Sequence, residues 1–318
     1  MLRPRLRLRA APAALALLLA AGLAGCGLGA GEGGTEARVV VTRDFGARQL
    51  EARIAQDLPS SETAMRLLER SFDVKTRYGG GFVQSIEGLS GGRQDGRPVD
   101  WFFYVNGVES DVGAADVQIH DGDRIWWDRH DWGDAPHVPA VVGSFPEPFA
   151  HGADGKRYPV VLECADDVEE ACRTVSQRLA AVGVVAGRQV LGTGVGERTV
   201  RVLVGRWVDL RADQALEQID RGPTASGVFA HFIDDGQALE LFDAKGDPIS
   251  EIHEGAGLVA ATRFEQQAPT WAITGTDDAG VMAAARALEE RTLRNRFAIA
   301  IAAAADPRPA VYPLPTVQ

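Results

Sequence analysis

Val39, Val40 and Val41 open the patterned part of the chain and predict a strand over residues 38–43. Beyond Ser60 and Ser61, either of which can cap a helix, Ala64, Leu67, Leu68 and Phe72 recur at helical spacing until Gly79, Gly80 and Gly81 break the pattern. Apolar and polar positions alternate over 82–86, an aromatic strand fills 101–105 and stops at Asn106-Gly107, and Asp121-Gly122-Asp123 turns the chain into a strand over 124–128. One helix among short strands with tight glycine turns predicts a compact α+β module over about 36–135.

Residues 136–154 hold Pro136, Pro139, Pro146 and Pro148 among glycines and are expected to act as a semi-rigid connector to a separate second domain, 155–318. There the pattern predicts strands at 159–163, 199–204, 227–232, 238–242, 258–263, 270–274 and 297–301. Helices are expected at 166–181, 212–219 and 277–293, which makes this half α/β or mixed α+β. The phrases VVLECADDVEEACRTV and WAITGTDDAGVMAAAR both run strand, Asp-Asp, helix, and suggest a weak internal repeat. Their acids, Asp166-Asp167 and Asp277-Asp278, are most simply first-turn carboxylates meeting a helix dipole.

Composition narrows the function. A chain of 318 residues with 45% hydrophobic and 24% charged residues is a folding composition, not a disordered one. A net charge of −11, with no basic block after the first nine residues, argues against nucleic acid as a partner. Three cysteines and six scattered histidines form no common zinc signature, and no metal site is expected. Asp128, His130 and Asp131 sit close together, yet a lone histidine with such flanking carboxylates makes a poor chelate. GTGVG at 192–196 precedes a strand where a dinucleotide loop would enter a helix, so a hairpin turn is the expectation there. Ser226 does not lie in a G-x-S-x-G elbow. No catalytic residue or resident cofactor is therefore assigned.

At the N-terminus, Arg3, Arg5, Arg7 and Arg9 precede a short apolar run and the sequence Leu23-Ala24-Gly25-Cys26, which resembles the bacterial lipobox. The resemblance implies a signal peptide over 1–25, cleavage before Cys26 and acylation of that cysteine, for example with palmitate. The protein would then be lipid-anchored on the outer, extracytoplasmic face of the bacterial cell membrane. The glycine-rich residues 26–35 would serve as a flexible tether. Cleavage leaves Cys164 and Cys172 as an even pair in an oxidising compartment, and a disulfide between them is expected in preference to two buried thiols.

The ordered phrases SSETAMRLL, GFVQSIEGL, WFFYVNG and DGDRIWW resemble the transcobalamin-like C-terminal domain, a β-grasp module. That resemblance implies cobalamin or a related corrinoid as a ligand and a role as a binding protein. The alternative is a non-catalytic cell-envelope adaptor holding an envelope protein. Strand alternation places Trp101, Phe103, Val105, Ile125 and Trp127 on one face. Phe102, Tyr104, Asn106 and Trp126 fall on the other, with Trp132 beyond the strand. That second face is either covered by the second domain or, with these five residues, is a platform for a large planar ligand.

Overall fold

The computed structural model describes residues 35–304 and 309–317; Cys26 and the rest of the expected signal and tether lie outside them. The chain is mixed α+β with several separate sheets. Strands β1 (Ala37–Arg43) and β2 (Arg48–Ala55) form an antiparallel hairpin, followed by helix α1 (Ala64–Ser71). Thr63, rather than Ser60 or Ser61, caps that helix, its hydroxyl accepting from the Arg66 amide at 3.3 Å. Strands β3 (Val74–Arg77), β4 (Phe82–Ile86) and β5 (Leu89–Ser90) make a small sheet of their own.

Strands β6 (Gly92–Gln94), β7 (Arg97–Val105), β8 (Val108–Glu109) and β9 (Arg124–Asp131) complete the first large sheet, in the order β2-β1-β9-β7-β6 with β8 paired to β7. Its centre is the parallel pair β1 and β9, each flanked by an antiparallel neighbour. This is the β-grasp arrangement that the sequence motifs imply. One face buries Val39, Val41, Trp101, Ile125 and Trp127 against Leu67 and Leu68 of α1, as strand alternation predicts.

The second half is built on β10 (Val160–Cys164), helix α2 (Glu169–Ala181), β11 (Gly187–Val190) and β12 (Val200–Arg206). Short helices α3 (Trp207–Leu210), α4 (Glu217–Asp220) and α5 (Pro223–Ser226) replace the single helix expected at 212–219. A three-stranded sheet of β13 (Ala230–Ile233), β14 (Ala238–Phe242) and β15 (Pro248–Ile252) follows. The chain then adds β16 (Ala256–Thr262), β17 (Thr270–Gly275), helices α6 (Asp278–Ala287) and α7 (Glu290–Leu293), β18 (Ala298–Ala302) and β19 (Ala310–Leu314).

The resulting seven-stranded sheet has the order β11-β10-β12-β17-β16-β18-β19. Its first four strands are parallel and the rest antiparallel. The parallel strands are apolar on both sides because both sides are covered. Helices α2 and α6 pack one face through Val175, Leu179, Val281 and Ala285. On the other, Leu203, Leu258 and Phe297 meet Val40, Phe45, Tyr104 and Trp126 of the first sheet and Phe229 and Leu241 from the β13–β14 region.

The two halves thus share one apolar core. Residues 136–154, expected as a spacer, belong to it: Val138 and Val141 lie between the sheets, and Val142, Phe145 and Phe149 join the core on the helical side. The prolines of that segment shape a packed strap, because the apolar residues between them have partners on both sides.

Candidate functional site

The aromatic platform expected on the first sheet is an internal seam. Trp126 is 3% exposed and Tyr104 is fully buried, with ring centroids 5.7 Å apart. Phe297 wedges edge-on between them, 5.1 Å from Trp126 and 5.5 Å from Tyr104. The Trp126 indole donates to the Thr42 hydroxyl at 2.7 Å, whereas the Tyr104 hydroxyl is buried without a hydrogen-bond partner. Burial holds the Tyr104 phenol well above its ordinary pKa, reinforced by the Glu109 and Asp128 carboxylates. Phe102, partly buried, stacks on His130 at 4.4 Å.

Asn106 is committed to the fold. It takes a positive φ in the Asn-Gly turn, and its amide donates to Asp123 at 2.8 Å and to the Gly152 carbonyl at 2.9 Å while its oxygen accepts from the Arg124 amide. Trp132 donates to Asp100 at 3.2 Å and stands apart from the Phe297 cluster. The five residues assigned to the platform therefore do not form an open surface. Their strand faces were read correctly, but a remote segment, Phe297, covers the outward one.

The Asp128 and His130 pair is also internal. Asp128 accepts from Thr42, from the backbone amides of Phe45 and Gly46 at 3.0 and 2.8 Å, and meets His130 Nδ1 at 2.8 Å. Those partners fill the carboxylate's acceptor sites, so it anchors the turn after β1. Asp131 is held by Arg97, and among the described residues no group of three or more acidic, histidine or cysteine side chains is placed to hold a metal ion.

A different place in the fold has the geometry of a binding site. In the order β11-β10-β12, strand β10 sends its chain through α2 to β11 on one side, while β12 lies on its other side. The strands are parallel, so this reversal opens a crevice at their carboxyl ends, where ligands of α/β sheets are commonly held. Asp166, Asp167, Arg188, Gln189, Arg206 and Asp209 line it. The expected hairpin at 192–196 is a crossover, because β11 and β12 each pair in parallel with β10 and not with each other.

Arg206 ends β12, the strand between the two Asp-Asp phrases of the repeat. Its guanidinium pairs with Asp167 after β10, with Asp209 at 3.1 Å, and with Asp278 at the start of α6 at 4.0 Å. Hydrogen bonding to Asp209 raises the Arg206 pKa above its ordinary value. Arg188 and Glu169 form a second, bidentate pair on the rim, each favouring the other's charged form. Cys164 and Cys172 are joined by a disulfide across the β10–α2 corner, with Cα atoms 6.0 Å apart, which braces the floor of the crevice. The twin Asp-Asp phrases with an arginine closing the strand between them are the sequence signal for this cluster. Their convergence depends on strand order, which the sequence does not state.

The crevice offers carboxylate acceptors beside guanidinium and amide donors, with no aromatic side chain in its lining. Such a surface suits a polar ligand rich in hydroxyl groups better than a large apolar ring.

No curated protein matches this chain. Among solved structures, the chain is similar to the crystal structure of a "putative metal binding protein" from Ruminococcus gnavus ATCC 29149, with 15% identity and a TM-score of 0.25. The match covers 30% of this chain and 97% of that one. Residues 61–131, the stretch running from before α1 through β9, match the family model described as Domain of unknown function (DUF4430).

Proposed function

We propose that this is a lipid-anchored, extracytoplasmic binding protein without catalytic activity. In this reading its ligand-facing site is the crevice at the carboxyl ends of β10, β11 and β12. The β-grasp sheet supports the seven-stranded sheet that carries the crevice, packing through the shared core. The observation that carries the reading is the polar crevice at the reversal of strand order, while Phe297 and its neighbours occupy the aromatic face that the sequence offers a planar ligand. The crevice chemistry favours a neutral, hydroxyl-rich ligand such as a glycan segment of the cell envelope, because three lining carboxylates oppose two guanidiniums and disfavour an anion. The envelope-adaptor alternative draws on β11, an exposed edge strand with its own Val190 and the preceding Val185 uncovered, which could pair with a strand of another protein.

Calorimetric titration with soluble cell-wall glycan fragments and, separately, with cyanocobalamin tests this reading. The expected result is glycan binding that weakens about tenfold in Arg206→Ala, the loss of roughly one charge-assisted contact, and no heat with cyanocobalamin. Saturable cyanocobalamin binding, or glycan binding indifferent to Arg206, would overturn it.

A further inference from the structure

Far from the crevice in sequence, the parallel register of β1 and β9 sets Arg38 directly opposite Arg124. Like charges on directly paired strand positions repel. Arg294, just beyond α7, adds a third guanidinium. One carboxylate serves all three: Oε1 of Glu290 lies 3.1 Å from Arg124, 3.9 Å from Arg38 and 3.9 Å from Arg294.

A formal surplus of two positive charges remains in the cluster, in a chain whose net charge is −11. Burial lowers the Arg38 pKa, and the Arg124 and Arg294 guanidiniums lower it further against the pull of Glu290. Arg124 is fixed by donating to the Phe145 carbonyl at 2.9 Å. The Arg38 and Arg124 side chains keep 34% and 24% of their surface exposed, so the cluster is partly desolvated yet open on one side. It borders a small cleft with Gly143, Ser144 and Asn295.

We infer that Arg38, Arg124 and Arg294 form a binding site for a phosphate group. Converging planar guanidiniums present paired N–H donors that match phosphate oxygens, and a doubly charged anion neutralises the surplus that Glu290 leaves. Glu290 holds the arginines together in the free protein and competes with the anion for them. Phosphate could be supplied by a soluble phosphorylated compound or by a lipid headgroup. This inference does not depend on the crevice or on its ligand.

The test uses the chain from residue 26 onward carrying Cys26→Ser, so that neither an acyl chain nor the basic apolar N-terminal segment contributes. Pyrophosphate is titrated calorimetrically, and flotation is measured with vesicles of phosphatidylcholine with or without phosphatidic acid, whose headgroup is a phosphate monoester. The expected result is a single anion site that weakens about tenfold in Arg38→Gln/Arg294→Gln and with rising salt. Glu290→Gln should bind several-fold more tightly, a gain that a purely structural ion pair would not produce. Pyrophosphate binding without flotation assigns a soluble phosphate, whereas flotation that requires phosphatidic acid assigns the headgroup. Absence of both, or binding that ignores both substitutions, would overturn the inference.

Discussion

Phe297→Ala removes the ring that seals the two sheets together. In the native protein that ring sits 5.1 to 5.5 Å from the rings of Trp126, Phe45, His130 and Tyr104, and almost none of its surface is exposed. Truncating a buried phenylalanine to alanine costs roughly 3–5 kcal/mol from lost transfer energy and the cavity left behind. The upper half of that range is expected here, because four aromatic neighbours are stiff and cannot collapse into the gap. Urea unfolding, followed in parallel by tryptophan emission and far-ultraviolet circular dichroism, measures the loss. A shared core requires the two probes to report one coincident transition in the wild type and a single, earlier one in the variant. A loss below about 1 kcal/mol, or two separated transitions in the wild type, would refute the shared core.

Other consequences follow from individual side chains. Replacing Cys164 and Cys172 together with alanine should destabilise by roughly 2 kcal/mol, as measured in urea, since the loop that they close is short. Tyr104→Phe should be neutral or slightly stabilising in the same assay, because it removes a buried hydroxyl without a partner. Burial raises the Glu109 pKa above its ordinary value of 4.5, so the folded state holds that proton to higher pH than the unfolded state does. Wild-type stability should therefore fall relative to Glu109→Gln as pH rises from about 4.5 through the raised folded value. The difference should stay constant below that window, and a wild type that loses stability relative to Glu109→Gln as the pH falls would contradict the sign.

Much of the first half was legible in the sequence because its strands alternate cleanly. The sorting of Trp101, Ile125 and Trp127 to the α1 face needed only the two-residue period and the Asn106-Gly107 turn. The edge strands were missed: β2 and β11 carry charged or exposed residues at most positions and present no buried stripe to read. The expected helix at 277–293 is two helices, because Leu288 turns into the core and Glu289 is drawn to Arg178 at the break. Local propensity cannot register either pull. The candidate crevice was half legible. Its Asp-Asp phrases stood out as a repeat, but their meeting at Arg206 is set by the order β10-β12-β17, a long-range choice. The seam was hidden for the same reason, since nothing near Phe297 names Trp126 as its partner.

Acrylamide quenching of tryptophan emission tests the sealed seam most directly. Trp101, Trp126, Trp127, Trp207 and Trp271 are all buried, at most 6% exposed, and Trp132 alone among the six is more open. In Trp132→Phe the remaining emission should be blue-shifted and nearly indifferent to acrylamide and to cyanocobalamin. A strongly quenched component in that variant, abolished by a further Trp126→Phe change, would place Trp126 on an open surface and contradict the account.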